Sequence, residues 1–252
     1  MYDSKRLVRP LISTLGPLAI LLLVGMPMTG CSSQSENMEV GSDDPRTKSV
    51  TPTDEPSGPR TGSEPELANL EVAYFASGCF WCVEAIFESV KGVEEAVSGY
   101  AGGTEDDPSY EAVSRGATSH AEAVAVYYDP KVIDYRTLLH VYYASHDPTT
   151  IDGQAPDFGR QYRSMILAGS DDELQLATEA RDSVAAGGAW SDPIATELVK
   201  LDTFWAAELY HQDFERRNPN QGYIRAVSIP RLNRFKSAVS SALLKGGRQE
   251  PH

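Results

Sequence analysis

The segment Leu70–Gly92 most constrains the fold, because it predicts a strand, a tight turn and a helix in close succession. It begins with an apolar and aromatic run, Ser77 and Gly78 follow as turn or N-cap residues, and apolar residues then recur at helical spacing. Cys79 and Cys82, two of the chain's three cysteines, lie where this helix is predicted to begin. Residues three apart share a helix face, so the two thiols are expected to meet.

The position of Cys79 also predicts a particular chemistry. Unsatisfied backbone N–H groups and the helix dipole at a helix start favour an anion. A free cysteine with a pKa of about 8.5 is mostly protonated at neutral pH, so a lowered pKa would make the thiolate the major form. The helix start therefore gives Cys79 the means to form a thiolate, although the sequence does not give the value of its pKa, and the pairing of Cys79 with Cys82 is a redox or metal signal.

The rest of the pattern predicts a mixed sheet with helices against it, an α/β (α+β) fold built around βαβ units. Runs typical of strands occur at Leu70–Ala76, Val93–Tyr100, Ala121–Tyr128 and Tyr162–Leu167. Helical patterns occur at Cys79–Val90, Tyr135–Ala144, Glu173–Val184, Ala206–Arg216 and Arg231–Leu244. Strand order does not follow from this pattern.

Charge excludes one class of partner. The chain of 252 residues has a formal net charge of −14, and no basic cluster interrupts it. An acidic surface repels nucleic acid and anionic membrane surfaces. We therefore expect no nucleic acid partner.

The N-terminus predicts export. Basic residues precede an apolar stretch from Leu11 to Val24, which is too short and too interrupted to predict a membrane-spanning helix. The stretch is followed by MTGC at residues 28–31, which resembles a bacterial lipobox. Residues 1–30 are therefore predicted to be a lipoprotein signal peptide and Cys31 to be the lipidated residue. A conventional signal peptide or an uncleaved anchor is the alternative.

Residues 31–66 are predicted to be a disordered acidic tether. Residues 32–66 contain five prolines and seven serines, and no apolar periodicity. The folded domain, residues 67–252, would then lie outside the cytoplasm, anchored by lipid to the cell envelope, at its periplasmic or outer face. In an oxidising compartment a cysteine pair rests as a disulfide unless a reductant acts on it.

Five motifs between Val72 and Ile224 resemble one family. They read GCFWCVEAIFESVKGVEEAVSGYAGG, SHAEAVAVYYDP, HDPTT, PDFGRQYRS and YHQDF, in this order. In this respect the chain is similar to the A-type peptide-methionine sulfoxide reductases. The resemblance implies a two-layer sandwich with a ferredoxin-like core, and reduction of the S epimer of methionine sulfoxide, in proteins and free. It implies neither a metal nor a prosthetic cofactor.

The chemistry of sulfoxide reduction explains two of the matching residues. The reaction needs a soft nucleophile on sulfur and a proton on the departing oxygen. By resemblance, Cys79 is the nucleophile and Glu122 is the acid. The apolar neighbours of Glu122 would keep its carboxyl partly dehydrated and raise its pKa, although a glutamate in an alternating strand is ordinarily a solvated residue.

The resemblance also assigns the substrate contacts. Tyr100 and Tyr162 match hydroxyls that hydrogen-bond the sulfoxide oxygen, and Phe80 and Trp81 match the apolar pocket for the substrate methyl group. Asp157 matches a residue of the acid network or of the substrate's polar end. Without the resemblance, the aromatic residues would be interpreted as packing residues.

A second thiol is needed to complete the cycle. Attack by Cys79 leaves a sulfenic acid, which condenses with a nearby thiol to a disulfide. Many family members supply that thiol after a Gly-Tyr pair near the C-terminus, but here Ile224 follows Tyr223. We therefore predict that Cys82 resolves the sulfenic acid and that a thioredoxin-like partner regenerates the enzyme, which is expected to be a monomer. Direct resolution by an external or small thiol is the alternative.

Other functions use the same residues differently. An exported thiol–disulfide exchange protein would also place Cys79 and Cys82 at a helix start. A zinc site would need two further ligands, for which the histidines offer no tight spacing. A cysteine hydrolase would use His120 or His211, and a lipid-anchored binding module or a pair of buried structural cysteines would use no chemistry at all.

Overall fold

The computed structural model describes residues 69–246. The strands are β1 (Glu71–Ser77), β2 (Val93–Ala101), β3 (Ala121–Tyr128), β4 (Gly153–Gln154), β5 (Asp157–Phe158), β6 (Ser164–Ala168), β7 (Glu197–Lys200) and β8 (Phe204–Ala206). The α-helices are α1 (Phe80–Glu88), α2 (Tyr110–Ser114), α3 (Tyr135–Ala144), α4 (Asp171–Ala186), α5 (Phe214–Arg217) and α6 (Ile229–Ala238). Short 3-10 turns cover Arg160–Tyr162, Leu209–His211 and Ser241–Leu243, and a π-helical turn covers Ile224–Ser228.

The predictions for the signal peptide, the tether and Cys31 lie outside the described residues. Within residues 69–246, none of the helices combines the length and the apolar character needed to cross a membrane.

Six strands form one mixed sheet in the order β7-β6-β1-β3-β2-β8. Its four central strands pair antiparallel, and β6 and β7 pair parallel. Since β1 and β2 both run against β3, they are parallel to each other, and α1 connects them; β3, α3 and β6 repeat this arrangement. Two such split βαβ units define the predicted ferredoxin-like core and confirm the mixed α/β prediction.

Strand alternation places the site on the helix-covered face of the sheet. Val124, Val126 and Tyr128 of β3 pack into the main core with helix α1. Because successive strand side chains alternate between faces, Glu122 points to this same side. The opposite face carries a smaller cluster of mainly small side chains, including Ala121 and Ala123.

The helix predicted at Ala206–Arg216 is wrong. This segment holds the end of β8, a 3-10 turn and the short helix α5. Gln212 explains the interruption, because its side-chain amide accepts from the Ser98 backbone N–H and donates to the Ser98 carbonyl, as a neighbouring strand would. Asp213 follows with φ +57°, which no α-helix tolerates.

The predicted helix at Arg231–Leu244 is displaced towards the N-terminus, since α6 begins at Ile229 and ends at Ala238. The short strands β7 and β8 and the hairpin of β4 and β5 were not predicted. Each is too short to show a period of its own, and each depends on pairing with a strand distant in sequence or on a tight turn.

Gly78 forms the turn between β1 and α1. Its φ is +95°, and a Cβ there would lie 3.0 Å from Gln154 Cβ and 3.1 Å from Arg231 Nη1. Gly78→Ala is therefore expected to lower the free energy of unfolding by about 1–3 kcal/mol, measured by urea denaturation. Gly222→Ala is the matched control, because a Cβ there meets nothing within 4 Å. Equal stability of the two variants would contradict this account of the turn.

Candidate active site

The two thiols meet at the start of α1, as predicted. Cys79 is the N-cap residue and Cys82 lies in the first turn, where its N–H donates to the Cys79 carbonyl at 3.1 Å. Both are free cysteines, with exposed fractions of 2% and 1%. Both thiols are therefore shielded from bulk water.

The helix start favours a thiolate at Cys79, but the surroundings of Cys79 act in the opposite direction. Burial raises the pKa of the Cys79 thiol, and hydrogen bonding to Cys82 and the negative charges of Cys82, Glu122 and Asp157 raise it further. The pKa of Cys82 is lowered to about 7, mainly by its hydrogen bond with Cys79 and next by the charge of Arg231. Desolvation and acidic neighbours thus act against the helix dipole at Cys79.

Glu122 forms the acidic side of the site. It is 1% exposed and lies directly across from Tyr100 in the pairing of β2 with β3. The Phe80 N–H donates to Glu122 Oε2 at 3.0 Å. The carboxyl therefore occupies the first turn of the same helix whose N-cap is Cys79, which brings the predicted acid and nucleophile together.

Asp157 and Tyr223 connect the acidic side to the second thiol. The Tyr223 hydroxyl donates to Asp157 Oδ2 and lies 3.8 Å from Cys82 Sγ. Burial raises the pKa of Tyr223, and the nearby thiols and Asp157 raise it further. Tyr223 therefore stays protonated and serves as a donor. Its place in the Gly-Tyr pair at residues 222–223 was the sequence signal for it, but no role was predicted.

Phe80 and Trp81 are buried in an aromatic cluster, and their predicted role as a pocket for the substrate methyl group stays a prediction. The Phe80 ring centroid lies 5.9 Å from that of Tyr100 and 5.0 Å from that of His211. The Trp81 ring stacks on Phe214 at 3.9 Å, and its Nε1 donates to His211 Nδ1 at 3.2 Å. The two aromatic residues are thus held rigidly beside the thiols, in surroundings suited to an apolar group.

Glu208 was missed by the sequence analysis. It accepts from the Tyr100 hydroxyl at 2.8 Å and from the Tyr110 N–H at 3.0 Å. Burial and the contact with Glu208 raise the pKa of Tyr100, which keeps this hydroxyl protonated. Glu208 lies three residues before His211 of the YHQDF motif, but a half-exposed glutamate in a loop carries no sequence signal of its own.

Tyr162 is buried, with 1% of its side chain exposed, at the end of the 3-10 turn that follows β5. Its N–H donates to the Gly159 carbonyl at 2.9 Å. The turn thus fixes its backbone, and its predicted contact with substrate stays a prediction.

Neither of the two histidines considered for a cysteine hydrolase is hydrogen-bonded to a cysteine. His120 Nδ1 accepts from the Gly103 N–H, and its Nε2 bonds the Glu105 carbonyl at 2.8 Å. His211 holds the Trp81 indole, and burial lowers its pKa to about 4, so it is a neutral acceptor. A base paired with Cys79, as a hydrolase requires, is therefore not built from these residues.

A buried dithiol with a carboxyl at its helix start and an aromatic cluster beside it defines a thiol-dependent reductase. The family described as peptide methionine sulfoxide reductase matches residues 71–243. The chain therefore belongs to the peptide methionine sulfoxide reductase family.

Individual relatives agree with this family. The chain is 41% identical to peptide methionine sulfoxide reductase MsrA of Polynucleobacter asymbioticus over 181 residues, 72% of this chain and 95% of the relative. It is 45% identical to MsrA 2 of Mesorhizobium japonicum over 167 residues, 66% of this chain and 86% of the relative. The chain is thus an A-type enzyme, a peptide-methionine (S)-S-oxide reductase.

Solved structures agree as well. Reduced Mxr1 of Saccharomyces cerevisiae matches with a TM-score of 0.57 and 36% identity, over 61% of this chain and 88% of that chain. Methionine sulfoxide reductase A of Corynebacterium diphtheriae matches with a TM-score of 0.55 and 31% identity, over 60% of this chain and 76% of that chain. The mixed sheet with its helices is therefore the fold of these enzymes.

His211 predicts a loss of stability in acid. Its folded pKa of about 4 lies below the ordinary value of 6.5, so the unfolded chain binds the additional proton between these pH values. Stability is therefore complete above pH 6.5 and falls as the pH drops towards 4, by up to about 3 kcal/mol. Urea denaturation at several pH values should show a shallower dependence for His211→Asn, which retains an acceptor for Trp81. An unchanged slope would contradict this role of His211.

Proposed function

We propose that Cys79 attacks the sulfur of methionine (S)-sulfoxide while Glu122 protonates the departing oxygen. Attack forms a bond between the Cys79 sulfur and the substrate sulfur, and the protonated oxygen leaves the substrate sulfur. This oxygen then adds to the Cys79 sulfur while the bond between the two sulfurs breaks with its electron pair on methionine. Methionine leaves and Cys79 becomes a sulfenic acid, so that one sulfur is reduced as the other is oxidised. The observation that carries this assignment is the Phe80 N–H bond to Glu122, which holds the acid at the helix start beside Cys79.

The raised pKa of Cys79 is consistent with a mechanism in which Cys79 is the nucleophile and Glu122 moves the protons. Burial, first of all, and the acidic neighbours Glu122 and Asp157 disfavour the Cys79 thiolate. Transfer of the Glu122 proton to the sulfoxide oxygen leaves Glu122 as a carboxylate, which can accept the proton that the Cys79 thiol loses as it attacks. The acid and the nucleophile would then act in one step.

Tyr100 and Tyr162 are proposed to donate to the sulfoxide oxygen, and Phe80 and Trp81 to hold the substrate methyl group. For Tyr100 this requires the oxygen to replace Glu208 as the acceptor of its hydroxyl proton. Asp157 is proposed to act through Tyr223, because its carboxylate accepts a hydrogen bond from the Tyr223 hydroxyl. Substrates would be methionine sulfoxide in oxidised proteins and the free amino acid.

We propose that Cys82 resolves the sulfenic acid. Its thiol lies against the Cys79 thiol within one helical turn, so attack on Cys79 sulfur forms a disulfide and releases water without movement of another segment. A dithiol reductant of the thioredoxin type would then reduce this disulfide by exchange. No prosthetic group enters either step.

A single turnover without reductant tests these assignments. The prereduced full chain would be mixed separately with the S and R sulfoxides of methionine. It would carry Cys31→Ser, so that the thiols counted are those of Cys79 and Cys82 alone. About one methionine from the S epimer only, with loss of both thiols, supports the reductase and the role of Cys82. One methionine with a trapped sulfenic acid removes the role of Cys82, and no methionine from either epimer contradicts the catalytic assignment.

We also propose that the chain is exported and carries lipid on Cys31. The support is the basic, apolar and small-residue pattern before Cys31, followed by an acidic tether. Mass spectrometry of the protein from bacterial membranes should find a diacylglyceryl group on Cys31 as the N-terminal residue. An intact Met1 or an unmodified Cys31 would contradict the proposal.

A further inference from the structure

Arg231 is a buried cation beside the active site that the mechanism does not use. Its side chain is 7% exposed, on the first turn of α6. Its Nε donates to the Ser145 carbonyl at 3.1 Å, and its Nη2 donates to the Ser77 carbonyl at 2.8 Å and to the Ser77 hydroxyl at 3.3 Å. All of these partners are neutral.

A buried charge with only neutral partners is costly and demands an explanation. Arg163, a comparably buried arginine at 4% exposed, bonds Glu197 at 3.2 Å. Within residues 69–246, no carboxylate comes within ion-pair distance of Arg231. His146 beside it is also uncharged, since burial and the charge of Arg231 lower its pKa to about 3.

Cys82 is the group that can supply the missing negative charge. Helix α1 turns Cys82 towards the C-terminal helical segment, where its Sγ lies 3.8 Å from the Tyr223 hydroxyl. Arg231 lies on the same segment, and its Nη1 lies against Gly78, one residue before the Cys79 N-cap. The charge of Arg231 is one of the causes that lower the Cys82 pKa, whereas Glu122 and Asp157 raise that of Cys79. Arg231 thus favours a thiolate at Cys82.

We propose that Arg231 is a positioning residue for recycling, which holds Cys82 as a thiolate whenever its sulfur attacks or leaves. The inference rests on the proposed role of Cys82. In resolution, the Cys82 thiolate attacks the Cys79 sulfenic sulfur, the disulfide forms, and the sulfur–oxygen bond breaks to give hydroxide, which takes a proton and becomes water.

The positive charge of Arg231 would also assist reduction of the Cys79–Cys82 disulfide by a dithiol. The reductant's thiolate attacks Cys79 Sγ, the disulfide breaks, and the electron pair leaves on Cys82. The reductant's second thiol then attacks the mixed disulfide and frees Cys79, so that one disulfide is reduced and one is formed. A leaving thiolate of lower pKa departs faster, so Arg231 directs attack to Cys79 and sets the rate.

Substitutions that separate charge from hydrogen bonding test the proposal. Arg231→Gln keeps a donor for the Ser77 carbonyl and removes the charge, and Arg231→Lys keeps the charge. Arg234→Gln is the matched control, because Arg234 is an exposed arginine on the same helix. All are made in the full chain with Cys31→Ser.

The first readout is the pH midpoint of the thiolate ultraviolet absorbance with Cys79→Ser added, which isolates Cys82. Arg231→Gln should raise this midpoint by about one pH unit, with Arg231→Lys close to the parent and Arg234→Gln unchanged. An equal midpoint in Arg231→Gln and the parent overturns the proposal. So does a midpoint in Arg231→Lys that lies about one pH unit or more above the parent, which can be measured even where Arg231→Gln does not fold.

The second readout is single turnover with Cys79 intact. Arg231→Gln should form methionine at the parent rate, lose its second thiol about tenfold more slowly and accumulate trappable sulfenic acid. Methionine and thiol loss slowed equally would indicate a structural effect and overturn the proposal. A parent that forms no methionine instead contradicts the proposed function itself, while a parent that forms methionine and loses one thiol removes the role of Cys82.

Discussion

Cys79→Ser should abolish methionine formation, whereas Cys82→Ser should preserve the first turnover. A serine hydroxyl cannot attack sulfoxide sulfur at neutral pH, so methionine formation should fall by roughly a thousandfold or more. Cys82→Ser leaves the nucleophile, the acid and the aromatic cluster in place. Recycling by a thioredoxin-type reductant should then fall by about a hundredfold, because the sulfenic acid no longer forms an internal disulfide.

The pKa relations sharpen this expectation. Hydrogen bonding to Cys82 and its negative charge are causes of the raised Cys79 pKa, second to burial. Cys82→Ser should therefore lower the Cys79 pKa and form its first methionine at least as fast as the parent. Rapid mixing with methionine (S)-sulfoxide, with methionine counted against enzyme, measures this step. Equal loss of the first methionine in both variants would contradict the division of roles.

The sequence predicted the pair but not its electrostatics. The spacing of Cys79 and Cys82 at a predicted helix start was enough to place two thiols together, because helical geometry is local. The direction of the Cys79 pKa was not, because it depends on burial and on Glu122 and Asp157, which arrive from a strand and a hairpin distant in sequence. A local rule about helix ends cannot include these charges.

The elements of the core could be predicted from the sequence, because each is long enough to show its own period. The edges of the sheet could not. β1, α1, β2, β3 and α3 are long enough to show their own period, and their order already suggests βαβ units. The segment around His211 and Gln212 was predicted as a helix, although Gln212 satisfies the backbone of β2 instead. Arg231 gave no signal at all, since its neutral partners become evident only once Ser77 and Ser145 are placed around it.

Glu122→Gln should slow the first turnover by about a hundredfold to ten-thousandfold, the usual contribution of a positioned general acid. Glutamine has the same shape and retains an oxygen that can accept from the Phe80 N–H, so the helix start and the fold should persist. What the variant loses is the proton that the sulfoxide oxygen needs. Single-turnover formation of methionine from the S epimer, measured across pH, reports this loss.

The same substitution excludes the simplest competing explanation. Glutamine is uncharged, like the protonated form of Glu122 that acts as the acid, so Glu122→Gln should leave the Cys79 thiolate population at least as large as in the parent. A slower reaction without a loss of thiolate can then be assigned to the missing proton. Thiolate absorbance in a Cys82→Ser background measures the population directly. A rate within about threefold of the parent would contradict the acid role of Glu122.

Glu84→Gln is the matched control for this experiment. Glu84 is a second buried glutamate near the site, on α1 itself, and burial raises its pKa well above the usual range. Its carboxyl accepts from the Ser98 hydroxyl and the Asp213 N–H, away from both thiols. Because neither of these hydrogen bonds involves a thiol, replacement of Glu84 by glutamine should change neither the Cys79 thiolate population nor the rate of methionine formation. A loss of rate confined to Glu122→Gln would therefore separate proton donation from the general effect of replacing a buried carboxyl.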